Sequence, residues 1–218
     1  MRQSGGQHRH CHHPRRLLLQ HHAPEGIGSG TIISKDGYLV TNEHVVGASE
    51  MVRVTLFDGS SYAAKLVGKD LSNDLAVLKI QAPAGKQFDC IEIGNSSELE
   101  VGRKVLAIGN PFGYDQTMTQ GMISSLGRTL RTRNNRIIKG IIQTDAAINP
   151  GNSGGLLLDT AGRMVAINTA IFTPGRQNSG IGFAIPLNII RSIVPELILH
   201  HRVLRADIGI LALQETPV

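Results

Sequence analysis

The chain has 218 residues, of which 41% are hydrophobic and 25 are glycine, so it is long enough to bury a core and rich in turns. Its formal net charge is +5, but the first 22 residues carry four arginines, six of the nine histidines and no acid, and the remainder is nearly balanced. This distribution offers no basic stripe for nucleic acid, and no window approaches the roughly 18 consecutive apolar residues of a membrane span.

The first 25 residues differ in composition from the rest of the chain. The motif "HRHCHH" offers imidazole and thiolate ligands, but it lies at a terminus without a fixed spacing, so we predict a disordered leader and no metal site. The run "LLL" is far shorter than the apolar region of a signal peptide, so we predict no signal peptide. Cys11 and Cys90 define neither a disulfide framework nor a zinc pattern.

From Gly28 onward, short apolar runs alternate with turn signals every eight to twelve residues, which is typical of a β-sandwich or barrel. Two hairpins are predicted first, each broken by an Asp-Gly turn, in "GTIISKDGYLVTN" and "MVRVTLFDGSSYAAKLVGKD". Further strands are predicted in "NDLAVLKI", "KVLAIGNPFG", "MTQGMISSLGR", "IIQTDAAI", "GLLLDTAGRMVAINTAIF" and "GIGFAIP".

The stretch "PLNIIRSIVPELILHH", which begins at Pro186, changes to a helical period. Pro186 suits the first turn of a helix, and Pro195 is expected to kink or split it. The apolar face of this helix is expected to pack against the strands as part of the core.

The turn "NPGNSGG", Asn149 to Gly155, lies between two apolar runs. Such a cluster is ordinary turn chemistry, because glycine supplies positive φ and proline fixes φ as negative. It equally suits a nucleophile, because a serine between glycines lets a reacting carbonyl approach backbone N–H groups closely. The catalytic interpretation requires a histidine and a carboxylate elsewhere in the chain.

Position selects the two partners of Ser153. His44, in "TNEHVV", is the histidine that lies within the body of the domain, where a strand meets a short turn or helix, and Asp74 precedes the apolar strand "LAVLKI". Taken alone, His44 also fits a structural histidine and Asp74 a cap or turn residue. Asp145 is expected to organise the serine loop.

The order His44, Asp74, Ser153 is that of the chymotrypsin-type triad. Six ordered segments, "TNEHVV", "NDLAVLKI", "AIGNPFG", "TQGMISSLGR", "QTDAAINPGNSGG" and "GIGFAIP", resemble the HtrA (Deg) family of serine proteases, and the resemblance runs from about Gly28 to Arg202. It implies an all-β fold with two six-stranded antiparallel β-barrels of the chymotrypsin/trypsin type and a C-terminal helix.

The resemblance also implies domain boundaries. The protease domain would cover 26–202, with barrel one at about 26–105, barrel two at about 106–185 and the helix at about 186–201. Residues 203–218 resemble the junction into a PDZ domain, so we expect a truncated PDZ-like segment or a tail there.

By the same resemblance, Ser153 is the nucleophile, His44 the general base and then acid, and Asp74 the residue that holds the imidazole tautomer. The N–H groups of Gly151 and Ser153 would form the oxyanion hole, in a geometry set by the preceding Asn149 and Pro150. The loops "PFGYDQTMTQG" and "GRTLRTRNNRIIKG" would control that geometry, with Arg128 as a relay. Both segments could equally be plain solvent-exposed loops, and Arg128 an ordinary residue of one of them.

Substrate preference follows from the residue six positions before the nucleophile, which forms the base of the S1 pocket in this fold. That residue is Ala147, so no acid is available to bind lysine or arginine. The expected walls are Ile148, Ile171, Phe172 and Ile181, and such a pocket favours small to medium aliphatic P1 side chains. All four wall residues could instead belong to the barrel core.

The predicted function is therefore a serine endopeptidase of protein quality control, which cleaves misfolded or unfolded proteins through an acyl-enzyme and needs no cofactor. The alternative is a catalytically silent chaperone or adaptor that binds extended peptides in the same cleft. The resemblance further implies a homotrimer held together by N-terminal aromatic residues, of which this chain has none before Tyr38. It implies the bacterial periplasm or an organelle as the compartment.

Overall fold

The computed structural model describes residues 20–23, 26–110, 117–131, 137–169 and 180–205, with the backbone alone for 20–23 and 26–27. The first half contains seven short strands and a four-residue helix. They are β1 (Gln20–Ala23), β2 (Gly26–Gly28), β3 (Thr31–Ile32), β4 (Tyr38–Thr41), α1 (Glu43–Val46), β5 (Met51–Thr55), β6 (Ser61–Asp70) and β7 (Leu75–Gln81).

The seven strands form one antiparallel sheet in the spatial order β2-β1-β5-β6-β7-β4-β3. The two predicted hairpins are confirmed, because β3 pairs with β4 and β5 pairs with β6. In β5, buried and exposed side chains alternate, as expected of a strand with one solvated face. In β7, four consecutive side chains are buried, because the strand lies inside the sheet and a C-terminal helix packs against it.

The second half forms a closed six-stranded barrel in the order β10-β13-β12-β11-β8-β9. Its strands are β8 (Lys104–Gly109), β9 (Thr117–Arg131), β10 (Ile137–Thr144), β11 (Leu156–Leu158), β12 (Met164–Thr169) and β13 (Gly182–Pro186). A short 3-10 helix at Ser96–Glu98 lies on the connection between the two halves. The predicted all-β fold of the chymotrypsin/trypsin type is confirmed, except that the first of its two predicted six-stranded barrels is a seven-stranded sheet.

The final element is α2 (Leu187–His200), which follows β13 directly, with Pro186 at its N-cap. The sequence predicted that Pro195 would kink or split this helix. The split is wrong, because α2 continues as one helix through Pro195, and the kink stays a prediction. The apolar side of α2 packs against β6, β7, β12 and β13, so tertiary burial offsets the hydrogen bond that proline cannot donate.

Two apolar clusters form the core. One lies within the second barrel and contains residues such as Val105, Ile123 and Leu157. The larger one continues from the N-terminal sheet through α2 to the outer layer of the barrel, and it includes Leu78, Leu156 and Leu197. The two halves are therefore packed together by shared apolar contacts.

The start of the fold differs from the sequence-based expectation. Residues 20–23 were expected to belong to the disordered leader, but β1 pairs with β2 on one side and with β5 on the other. The period-two pattern that identifies strands is absent from "QHHA". β1 is a strand because its backbone N–H and C=O groups pair with those of β5.

Candidate active site

His44 is presented by α1, the single turn of helix that follows β4. Val45 and Val46 are buried beneath this turn, which leaves the His44 side chain 29% exposed beside the junction of the two halves. The expected position of His44, where a strand meets a short helix, is confirmed.

Asp74 precedes β7 and is 3% exposed. Its Oδ2 lies 2.8 Å from His44 Nδ1, and its Oδ1 accepts the backbone N–H of His44 at 3.0 Å. Thr169 Oγ1 donates to Oδ2 at 3.1 Å. Because an ionised carboxylate can only accept, it selects the tautomer with hydrogen on Nδ1 and leaves Nε2 as an acceptor.

Ser153 lies in the turn between β10 and β11, and the residue is 4% exposed. Its Oγ is 3.0 Å from His44 Nε2. The structure therefore brings the three predicted residues, which span more than a hundred positions, into one hydrogen-bonded chain from carboxylate to imidazole to hydroxyl. This arrangement can move a proton from the hydroxyl to the imidazole.

The backbone around Ser153 is held in two tight turns. Asn152 N–H donates to Asn149 O at 2.9 Å, and Gly151 has a φ of 96°. Pro150 and Gly151 thus occupy the two central positions of a turn with the residue types and glycine conformation of type II. The next glycine, Gly154, has a φ of 83° and donates to Asn168 O at 3.0 Å.

Two hydroxyl residues of the N-terminal half hold this turn from the opposite side, and a third holds one of them. Ser29 Oγ donates to Gly151 O at 2.7 Å, and Thr31 Oγ1 donates to Gly154 O at 3.3 Å. Thr41 Oγ1 donates to Ser29 O at 2.7 Å. Sequence reasoning missed all three, although the small residues of "GSG" at 28–30 were a signal that two backbones approach each other closely there.

The predicted S1 residues fall into different environments. Ala147, the expected base, is partly exposed, and its carbonyl accepts from Thr119 Oγ1 at 3.0 Å. Ile181 is 40% exposed. Ile171 and Phe172 lie outside the described residues.

Ile148 was predicted to line the wall of the S1 pocket or, alternatively, to belong to the barrel core. It is 0% exposed and belongs to the apolar cluster inside the second barrel, as the alternative expects, and a role in the pocket stays a prediction. Ile148 Cδ1 lies where a side chain on Gly182 would have to fit.

Two further residues near the site have defined contacts. Asp145 was predicted to organise the serine loop; its Oδ1 accepts the Met122 N–H of β9 at 2.6 Å, and the organising role stays a prediction. Arg128, the predicted relay, lies on β9 and donates through Nε to Gln143 Oε1 at 3.1 Å. The relay itself stays a prediction.

Within the described ranges, no group of three or more histidine, cysteine, aspartate and glutamate side chains is arranged to hold a metal ion. The motif "HRHCHH" lies outside those ranges. In the same part of the chain, no helix has both the length and the apolar character needed to cross a membrane.

Comparison with known proteins gives consistent results. A family model described as a trypsin-like peptidase domain matches residues 28–167. The chain is 49% identical over 188 residues to the chloroplastic Protease Do-like 1 of Arabidopsis thaliana, covering 86% of this chain and 43% of that protein. It is 45% identical over 186 residues to the periplasmic serine endoprotease DegP of Escherichia coli, covering 85% of this chain and 38% of that protein.

Solved structures are similar as well. The HtrA-type protease AlgW with a tripeptide has a TM-score of 0.79 and 44% sequence identity, covering 87% of this chain and 62% of that one. The chain spans 43% and 38% of the lengths of the two curated relatives.

Proposed function

Because this chain belongs to the HtrA (Deg) family of trypsin-like serine proteases, we propose that it is an endopeptidase that uses Ser153 as its nucleophile. The observation that carries the proposal is the continuous hydrogen-bonded chain at the junction of the two halves. Asp74 Oδ2 lies 2.8 Å from His44 Nδ1, and His44 Nε2 lies 3.0 Å from Ser153 Oγ. Both distances are those of hydrogen bonds ready for proton transfer.

The mechanism follows from this chain. Ser153 Oγ attacks the scissile carbonyl while His44 Nε2 takes the hydroxyl proton, and the carboxylate of Asp74 stabilises the imidazolium that forms. The tetrahedral intermediate collapses when His44 returns the proton to the leaving amine, which leaves an acyl-enzyme on Ser153. A water molecule, activated by His44 in the same way, then releases the acid.

The charge on the tetrahedral oxygen needs donors that are in place before the reaction. We propose the backbone N–H groups of Gly151 and Ser153, because the two residues flank Asn152 in the turn whose glycine has a φ of 96°. Losing one donor of an oxyanion hole costs about 2.7–4 kcal/mol of transition-state stabilisation. The shape of this turn is therefore as important for the rate as the three side chains.

The proposed substrates are unfolded or misfolded polypeptides, which are cleaved after small to medium aliphatic residues. Ala147 at the expected base of the S1 pocket supports this preference, because it brings no charge to pair with a basic P1 side chain. Apolar pockets discriminate by only about 1–3 kcal/mol per methylene, so cleavage at many sites of an extended chain is expected. The proposed role is protein quality control, in a compartment such as the chloroplast or the periplasm that the names of the two curated relatives give.

The test is degradation of an unfolded casein substrate by the purified chain, with fragment ends identified by mass spectrometry. Ser153→Ala should lower the rate by at least about 10⁴-fold. Ser192→Ala is the matched control, because it removes a serine hydroxyl that bonds only within α2, to Ile189 O at 2.8 Å, and it should leave the rate unchanged. Aliphatic residues are expected at P1.

Two outcomes would contradict the proposal. Equal rates for the parent chain and Ser153→Ala would show that another residue or a contaminant cleaves the substrate. Saturable binding of casein without any cleavage by the folded parent chain would support the silent chaperone instead.

A further inference from the structure

The hydroxyl of Ser29 joins two backbone groups that belong to the second barrel. Ser29 is 0% exposed, and its Oγ donates to Gly151 O at 2.7 Å while it accepts the N–H of Asn110 at 2.9 Å. The directions are unambiguous, because an amide N–H can only donate and a carbonyl oxygen can only accept. One buried side chain of the N-terminal sheet thus connects the end of β8 with the turn that precedes Ser153.

The backbone of Ser29 is itself fixed on both sides. Its N–H donates to Ser153 O at 2.8 Å, and its carbonyl accepts from Thr41 Oγ1 at 2.7 Å. The neighbouring backbone is also tightly packed, since a side chain on Gly28 would overlap Val45. The Ser29 hydroxyl therefore acts from a rigid position.

The peptide group between Gly151 and Asn152 is held at both ends. Its N–H donates to Asn149 O at 2.9 Å, and its carbonyl accepts from Ser29 Oγ at 2.7 Å. Type I and type II turns differ by rotation of their central peptide, which here joins Pro150 to Gly151 and carries the Gly151 N–H. With the following peptide fixed, the φ of Gly151 sets the direction of that N–H, and its value of 96° is that of the type II turn.

We propose that Ser29 is a positioning residue for the oxyanion hole, whose hydroxyl holds the Gly151 carbonyl and thereby keeps the Gly151 N–H directed at the reacting oxygen. The inference rests on the proposed function, in which Gly151 donates to that oxygen. The fully buried Ser29 hydroxyl acts on the reacting oxygen through Gly151. Because the same hydroxyl accepts from Asn110, a movement at the end of β8 is transmitted to the turn.

The test compares the parent chain with Ser29→Ala on a chromogenic peptide with an aliphatic P1 residue. Removal of the hydroxyl leaves the Gly151 carbonyl unanchored, so kcat should fall by about 10- to 100-fold, less than the roughly 10²- to 10³-fold loss when a donor is removed outright. KM should stay within about twofold, because ground-state binding does not use the oxyanion hole. Ser29→Cys, with a weaker donor at the same place, should give an intermediate kcat.

A second measurement separates positioning from general destabilisation. A peptide aldehyde forms a tetrahedral adduct that needs the oxyanion hole, so its inhibition constant should rise by the same factor by which kcat falls. Asp159→Ala is the stability control, because Asp159 caps the turn at the far end of β11. It should lower the melting temperature at unchanged kcat.

Each outcome decides the inference. If Ser29→Ala lowers the melting temperature but keeps kcat and the inhibition constant within about twofold of the parent, Ser29 is only a clamp and the inference is wrong. If Ser29→Ala does not fold, as judged by circular dichroism, the same comparison is made with Ser29→Cys. A folded parent chain that fails to cleave the peptide would overturn the proposed function together with this inference, whereas an active parent with an equally active Ser29→Ala would overturn the inference alone.

Discussion

At the scale of single residues, the backbone of Asp74 carries a conformation that few aspartates adopt. Its φ is 54°, in the left-handed region, which costs a non-glycine residue of the order of 1–2 kcal/mol. Hydrogen bonds over-determine this geometry, because Asp74 O accepts from Asn42 Nδ2 at 3.0 Å and from Glu43 N at 3.1 Å. The strain places the carboxylate under His44, where the proposed mechanism needs it.

Gly154 shows how closely the two halves approach each other at the nucleophile. A side chain at this position would overlap the Ser29 carbonyl oxygen and Thr41 Oγ1, and its φ of 83° already disfavours other residues. We predict that Gly154→Ala lowers the free energy of unfolding by about 2–5 kcal/mol and abolishes cleavage, because conformational strain and overpacking add.

Gly162→Ala is the matched control for this prediction. Gly162 has a similar φ of 78°, but nothing lies within 4 Å of the position its side chain would take. Gly162→Ala should lower the free energy of unfolding by about 1–2 kcal/mol, because only the backbone conformation is strained, and it should retain activity. Urea unfolding of both variants measures the difference. Equal losses of unfolding free energy would show that the close approach of the two halves at Gly154 adds no cost of its own.

At the scale of elements, the turn between β11 and β12 is organised by one carboxylate. Asp159 Oδ1 accepts the N–H groups of Ala161 and Arg163, both at 2.9 Å, and Oδ2 lies 2.7 Å from Arg163 Nη2. Burial raises the pKa of the Asp159 carboxyl, but the hydrogen bonds and the charge of Arg163 outweigh burial and lower it below the ordinary value of 3.8.

This lowered pKa predicts how the stability of the turn depends on pH. The folded state favours the charged carboxylate, so its contribution is complete above the ordinary pKa of 3.8 and is lost as the pH falls through the lower pKa of the folded state. Asp159→Asn, which keeps an acceptor but no charge, should be less stable than the parent by about 1 kcal/mol at pH 7.

As the pH falls through the lowered pKa of the folded state, that difference should shrink, because the parent carboxyl becomes neutral as well. Urea unfolding at pH 7 and at low pH measures both values. A difference that is independent of pH would show that the charge of Asp159 contributes nothing to the turn.

At the scale of the whole molecule, α2 joins the two halves. It packs against β6 and β7 of the sheet and against β12 and β13 of the barrel. Leu197 is fully buried in the larger cluster, whereas Leu199 on the same helix is 72% exposed. The integrity of the junction that holds the candidate active site therefore depends on a helix outside the site.

We predict that Leu197→Ala lowers the free energy of unfolding by about 2–5 kcal/mol, because the packed cluster cannot collapse around the cavity. Leu199→Ala removes the same atoms from a solvated position and should change stability by no more than about 0.5 kcal/mol. Chemical unfolding followed by circular dichroism provides the comparison. Similar values for the two variants would mean that α2 is not docked as described.

Local patterns in the sequence determined most of the elements and singled out the three residues of the proposed triad. The hairpins of β3 with β4 and of β5 with β6 follow from alternation and Asp-Gly turns, which act over a few residues. His44, Asp74 and Ser153 could be named because their order along the chain matches a family pattern and because position excluded the competing histidines. Their geometry confirms that they meet, at 2.8 and 3.0 Å.

Only the tertiary structure decided which contacts hold these residues. Ser29 and Gly151 are 122 positions apart, and Thr169 and Asp74 are 95 apart, so no local pattern could pair them. The sequence left Ile148 open between pocket and barrel core for the same reason, because the direction of a side chain in an irregular segment is set by the barrel that closes around it. Hydrogen bonds and apolar contacts between distant segments form only when the chain is folded. Patterns of neighbouring residues along the sequence therefore cannot predict them.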